Sequence, residues 1–596
     1  MKIRSQDKKG LIEAALGKIS CDMVIKNAQV VNVFTGEIYK ANVGIYDGFI
    51  VHVQGDPDGL ERQEKALEGK AYYDAQGQYL LPGFIDAHIH IESTMMTPRN
   101  FTKAVLPHGT TTVITDPHEI ANVCGIEGVK YMQESSRNLP IRQYLLVPSC
   151  VPAVPGKENA GAVFTSKEVE DLLDLEGVIG LAEVMDYLGV IGNDQRMVDI
   201  LKCTEDRDLF IQGHAPYVSG RELSAYLCGG PSSDHESRTP QEVRDKIRNG
   251  MYVDARESSM SRNVEALVKG AKDFRYLTHL TFCTDDREPE DILQEGHMNA
   301  VVRKAIESGM HPVDAIRSAT LNIAQEVGIK NLGAIAPGYA ADMMIVDSLE
   351  KLCPTAVFSQ GQLVVEQGQL KVEIGEQEFS LEKQNTVFVD HLSMEDFKIK
   401  APIEEGYIKT RIIQYDGLNS ATTEFVLEDL PVKEGYVDIS QDPTLKFVVV
   451  INRHGKLNTK GYGIVRNFGT HRGAVASTVS HDSHNLTIVY DHARNGYAAA
   501  KDLISLGGGI SCAVEGQVVQ HLALPIAGLL SPKPCEELAG EATQMKKALR
   551  DLGLTEIVNP LLRIATLALP VIPYAKMSDL GMVEVLTQEI LPMFEQ

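Results

Sequence analysis

At 596 residues the chain exceeds what a single hydrophobic core organises, so several domains are expected. A hydrophobic share of 43% and a charged share of 23% are those of a globular protein and exclude a disordered or fibrous chain. The formal net charge of −24, from 57 Lys and Arg against 81 Asp and Glu, opposes polyphosphate and argues against a nucleic-acid partner.

The opening MKIRSQDKKG is charged and leads into no apolar run, so a cytoplasmic location is expected. Residues 23–53 are rich in Val and Ile and punctuated by Thr-Gly and Asp-Gly turns, which predicts a small all-β unit over residues 1–80. From 79 to about 320, short apolar runs alternate with amphipathic stretches: YLLPGFIDAHIHIES, TTVIT, QYLLVPS, VIGLAEV, LFIQGH, SSDHE, MYVDA and LTFCTD. Eight strand and helix repeats in ~250 residues predict an α/β fold, a distorted TIM-type (β/α)8 barrel over residues 81–335. Strand-like alternation returns over 336–385 and is expected to complete the first unit as a small β-sandwich built from both flanks of the barrel. Residues 386–596 read as a C-terminal α+β domain, with strands such as LKFVVVINR and LTIVYD and helices around 496–505 and 536–551. The apolar stretch 557–575 carries Arg563 and is broken by Pro560, Pro570 and Pro573, so it reads as core and no membrane partner is expected. Nine cysteines without a C-x-x-C pair are expected as free thiols.

His88 and His90 are two apart on a strand, so both side chains leave one face, as two ligands of one metal must. Alone, such a pair is as readily two satisfied histidines at a barrel mouth. Four of the later strands, however, each offer a further ligand at the same rim: Glu183, His214, His235 and Asp285. Four imidazoles and two carboxylates converging from five strands suit two divalent cations with Glu183 between them. Nitrogen and oxygen donors without thiolate point to Mn(II), Fe(II) or Zn(II).

Asp116, His118 and Glu119 follow the second strand. They serve equally as a capped helix start and as substrate or auxiliary metal ligands. His481, Asp482 and His484 belong to the last domain, which either hangs them over the barrel mouth or keeps them as internal hydrogen-bonding groups. Other motifs fail: His90-Ile91-Glu92 lacks the P-C-x-x-C partner of the zinc nucleobase deaminases, and His118-Glu119 lacks the second histidine of H-E-x-x-H. The Gly507–Gly509 run has neither dinucleotide spacing nor a P-loop lysine.

PGFIDAHIHIES resembles the signature of the amidohydrolase superfamily, and the order His-x-His, Glu, His, His, Asp is similar to that of its binuclear members. Within the superfamily the chain most resembles the adenine deaminases, through TTTVITDPHEIANV, LAEVMDY, ARESS and ASTVSHDSHN. Glu183 stands where many amidohydrolases carry a carboxylated lysine, as it does in the adenine deaminases. Ser258 departs from the glycine expected within ARESS, which leaves the contacts of that loop open.

The resemblance implies a hydrolase acting on the C–N bond of a cyclic amidine in purine salvage or catabolism. It implies two divalent cations, Mn(II) or Fe(II) ahead of Zn(II), whose bridging hydroxide attacks C6 of adenine. Asp285 is implied as the proton carrier, with Glu183 and Glu119 as further catalytic groups. Candidates for the substrate are Asp116, His118, Glu119, Arg256, Glu257, Ser258, His481, Asp482 and His484. The expected partner is a small molecule, and a homodimer or higher homo-oligomer is implied. Two alternatives stay open: an amidohydrolase for another heterocycle or cyclic amide, and a catalytically silent scaffold.

Overall fold

The computed structural model describes residues 2–55, 65–375, 384–417, 420, 422–572 and 574–595. Near the N-terminus, Cys21–Val31, Ile38–Tyr46 and Phe49–Gly55 pair antiparallel. The second hairpin turns on Asp47 and Gly48, with φ of 48° and 74°, the left-handed pair that matches strand twist in a two-residue turn. Strand Tyr79–Pro82 runs parallel to Cys21–Val31 and antiparallel to Met343–Val346, which continues into Pro354–Ser359 and Gln362–Glu366. One nine-stranded sheet therefore draws on chain from both sides of the barrel.

The barrel strands, in chain order, are Phe84–Ile89, Thr110–Thr115, Arg142–Val147, Val178–Val184, Phe210–Gly213, Ser233–Asp234, Tyr252–Arg256 and Leu280–Cys283. All eight overlap the apolar runs picked out in the sequence, and Thr110–Thr115, Arg142–Val147 and Tyr252–Arg256 each extend one residue beyond. They are readable because helices cover the outside and side chains fill the inside, so both strand faces are apolar. The ladder divides into parallel sheets of five and three strands. A few backbone bonds join them: Ser232 N–H donates to Ile211 C=O at 3.1 Å, Asp285 N–H donates to His88 C=O at 3.0 Å and His90 N–H donates to Asp285 C=O at 3.3 Å. The sixth strand shrinks to two residues because Asp234 turns its carboxylate to the buried Lys246, at 2.8 Å, and to Ser237. That division is the distortion of this TIM-like barrel.

The C-terminal third forms a second nine-stranded sheet, ending in Leu486–Tyr490, Ala474–Ser477, Gly509–Val514 and Gln517–Ala523. Helix Ala493–Leu506 stops at Gly507, whose φ of 79° is the left-handed cap that ends helices. Helix Cys535–Asp551 lies against barrel helix Pro289–Glu295, where Lys546 pairs with Glu288 and Glu290. Ser531 N–H donates to Met95 C=O at 2.8 Å, and Asp579 accepts from both nitrogens of Asn159 at 2.9 and 2.7 Å. A continuous buried apolar cluster passes from Phe101 and Met298 into Leu538 and Met545, fixing this unit against the barrel. Among the described residues no helix is long and apolar enough to cross a membrane.

Candidate metal centre

The first barrel strand delivers His88 and His90 to the rim, and two acceptors settle their tautomers. His88 Nδ1 donates to Gln212 Oε1 at 2.8 Å, and His90 Nδ1 donates to Asp116 C=O at 2.9 Å. In its neutral form each ring therefore carries its lone pair on Nε2. Those two Nε2 atoms stand 3.0 Å apart on buried side chains. Against its burial, the Asp285 and Glu183 carboxylates raise His90 well above the ordinary imidazole value, so this pair is held together by positive charge, a proton or a cation shared between the two Nε2 atoms.

Glu183 ends the fourth strand with its two oxygens facing different ways. Oε1 is 3.3 Å from His90 Nε2 and 3.9 Å from His88 Nε2. Oε2 is 2.5 Å from His214 Nδ1 and 3.2 Å from His235 Nε2. One carboxylate thus separates two pairs of imidazoles. Asp285, after the eighth strand, places Oδ1 3.4 Å from His88 Nε2 and 3.3 Å from His90 Nε2. Its Oδ2 is held by Arg256, which also pairs with Glu236 at 2.5 Å.

Burial opposes ionisation of Glu183 and Asp285, but neighbouring charge outweighs it. His214 and His235 hold Glu183 well below the usual carboxylate range, and Arg256 with the two first-strand histidines does the same for Asp285. Burial and the adjoining His235 and His90 bring His88 down to about 4, which keeps its Nε2 open.

Asp116 orients His118: Oδ1 accepts the His118 backbone N–H at 3.0 Å, and Oδ2 lies 3.1 Å from its Nδ1. His118 in turn stands 3.5 Å from Glu183 Oε1 and 3.7 Å from Asp482 Oδ1. Burial disfavours its charge, yet the Asp116 carboxylate raises it well above the ordinary imidazole value. Glu119 Oε1 accepts from Ser93 at 3.1 Å and lies 3.3 Å from His481 Nδ1. His481, Asp482 and His484 sit between strands Ala474–Ser477 and Leu486–Tyr490, so the C-terminal sheet hangs them over the barrel mouth.

A sequence model of the amidohydrolase family matches residues 79–364, and one of the adenine deaminase C-terminal domain matches 420–589. The chain is 40% identical to adenine deaminase 2 of Carboxydothermus hydrogenoformans over 584 residues, 98% of this chain and 99% of that protein. It is 37% identical to the adenine deaminase of Clostridium acetobutylicum, covering 97% and 99%, and 37% identical to that of Kosmotoga olearia, covering 98% of both. The chain belongs to the adenine deaminases.

Two of the three substrate candidates in the ARESS loop already have protein partners. Arg256 is committed to Asp285 and Glu236. Ser258 Oγ accepts from Ser261 N–H at 2.7 Å and Met260 N–H at 3.1 Å, closing a turn without positive φ, so glycine is not required there. Glu257 keeps Oε2 buried with no hydrogen-bond partner. Sequence reasoning passed over Gln212, which shares a strand face with His214, and Asp286, which accepts from Ser93 at 2.5 Å. Spacing could have found Gln212; Asp286 was visible only as the second half of a double aspartate.

Proposed function

We propose that this chain hydrolyses adenine to hypoxanthine and ammonia. The observation that carries the proposal is the divided carboxylate of Glu183, set between two imidazole pairs in a chain similar along its whole length to adenine deaminases. His88 with His90, Asp285 and Glu183, whose facing atoms lie 3.0–3.9 Å from His88 Nε2, would hold one divalent cation, and Glu183, His214 and His235 a second, with Mn(II) or Fe(II) suited to these donors. Such cations supply Lewis acidity that makes water a nucleophile near neutral pH.

The protein groups do the rest. Ionised Asp285 takes a proton from the attacking water and passes it to the amine nitrogen of C6, because an amide anion cannot leave. Arg256 holds the far oxygen of Asp285, so the near one stays aimed at the reacting atoms. His118, charged beside Glu183 and Asp482, is placed to stabilise negative charge that builds on the ring.

The test is to load the protein with Mn(II) or Fe(II) and offer adenine, adenosine, guanine and cytosine separately, following ammonia and the ultraviolet spectrum. Conversion of adenine alone supports the proposal. Ammonia from another base, or from none with metal bound, rejects it.

A further inference from the structure

We propose that Glu119 and His484 together read the ring N–H and the adjoining ring nitrogen of a free purine base, and thereby set the enzyme's preference for base over nucleoside. The proposal rests on adenine hydrolysis at the neighbouring metal centre.

Glu119, His481 and His484 bring ligand-type atoms within 4.8 Å of one another, a spacing that a third cation could also use. The tautomer of His484 decides against the cation. Its Nδ1 accepts the backbone N–H of Ser480 at 3.2 Å, so its proton sits on Nε2, which then has no lone pair to give a metal. That Nε2 belongs to a side chain with 0% exposure and has no hydrogen-bond partner. Glu119 Oε2, at 3.8 Å, is beyond hydrogen-bond reach. A buried donor left unmade is costly, and a ligand bringing an acceptor removes the cost.

The pair therefore presents an acceptor beside a donor, and its complement is a donor beside an acceptor. Ser93 links Glu119 to Asp286, next in chain to Asp285, so the pair is connected to the metal ligands through these two side chains. With the amino-bearing carbon of adenine at the metals, the remaining N–H adjoining a ring nitrogen is N9–H beside N3. A nucleoside has a sugar in place of that hydrogen. Arg453 fixes the arrangement from behind as a positioning residue: its Nε donates to His484 C=O, Nη1 to Thr386 Oγ1 at 2.6 Å and Nη2 to Ala527 C=O at 3.0 Å.

The experiment compares wild type, His484→Phe and His484→Gln, each assayed for bound Mn(II), kcat/KM on adenine and Ki of 3-deazaadenine, which lacks the nitrogen His484 would contact. His484→Phe is expected to lose about 10- to 100-fold in kcat/KM with metal content unchanged, while Ki for 3-deazaadenine moves less than about 2-fold. Gln, which keeps an N–H donor, is expected to recover part of the loss. Wild type alone gives a second measurement: 9-methyladenine should inhibit at least about tenfold more weakly than adenine binds. Equal losses on both ligands, a fall in bound metal in His484→Phe, or tight 9-methyladenine binding overturns the proposal. Wild type that releases no ammonia from adenine would instead overturn the function on which it rests.

Discussion

His88 and His90 face each other through Nε2 atoms 3.0 Å apart, because Gln212 and the carbonyl of Asp116 claim both Nδ1 protons. The site is thus arranged for a cation by groups that never touch it. Replacing Gln212 by Leu removes the acceptor and frees His88 to take the other tautomer. Metal affinity should fall about 10- to 100-fold, read by competition with a chromogenic chelator. An unchanged affinity would show that the glutamine does not set the tautomer.

Asp285 is asked to carry a proton while Arg256 holds its second oxygen. Asp285→Asn keeps the size and removes the charge. Turnover should drop by about 10² to 10⁴-fold with the circular dichroism spectrum retained. Near-native turnover with metal still bound would exclude the proton-carrier role.

The eight barrel strands and the convergence of His88, His90, Glu183, His214, His235 and Asp285 could be read from the chain because each fact is local. A strand buried on both faces is a visible apolar run, and His88 and His90 share a face through strand period alone. The sixth strand is short for a reason that spacing does not show: Asp234 bonds to Lys246, twelve residues on. The task of Arg256 was likewise hidden, since its partners Glu236 and Asp285 arrive from different strands. The roof was hardest, because His481 meets Glu119 only after two separate units pack together. His118 and Glu119 alone gave no means of choosing between a helix start and a site.

Glu158 lies in the seam between barrel and C-terminal unit, and burial, with the Asp482 carboxylate adding to it, pushes its carboxyl up to about 8. A folded value above the unfolded one means its stabilising contribution is full below about pH 4.5 and is lost as pH rises through 8. Glu158→Gln, which keeps the acceptor for Val154 N–H, should flatten that loss. The variant's thermal midpoint should gain on wild type between pH 5 and pH 9. A difference that is constant with pH would show that Glu158 ionises normally.

Gly528 has φ of 69°, and a Cβ there would come within 2.8 Å of Arg453 Nη1. Gly528→Val should therefore disturb the clamp behind His484 as well as strain the backbone. Loss of about 1–3 kcal/mol in stability is expected, together with a lower kcat/KM for adenine. Unfolding in denaturant and steady-state assays report the two effects, and a variant as stable and active as wild type would contradict the clamp.

The central claim is that Glu183 separates two cation positions, both needed to hydrolyse adenine. Titrating metal-free protein with Mn(II) while following hypoxanthine formation tests it most directly. Activity should climb to a break at two equivalents per chain. A break at one equivalent, or activity that needs no metal, would contradict it.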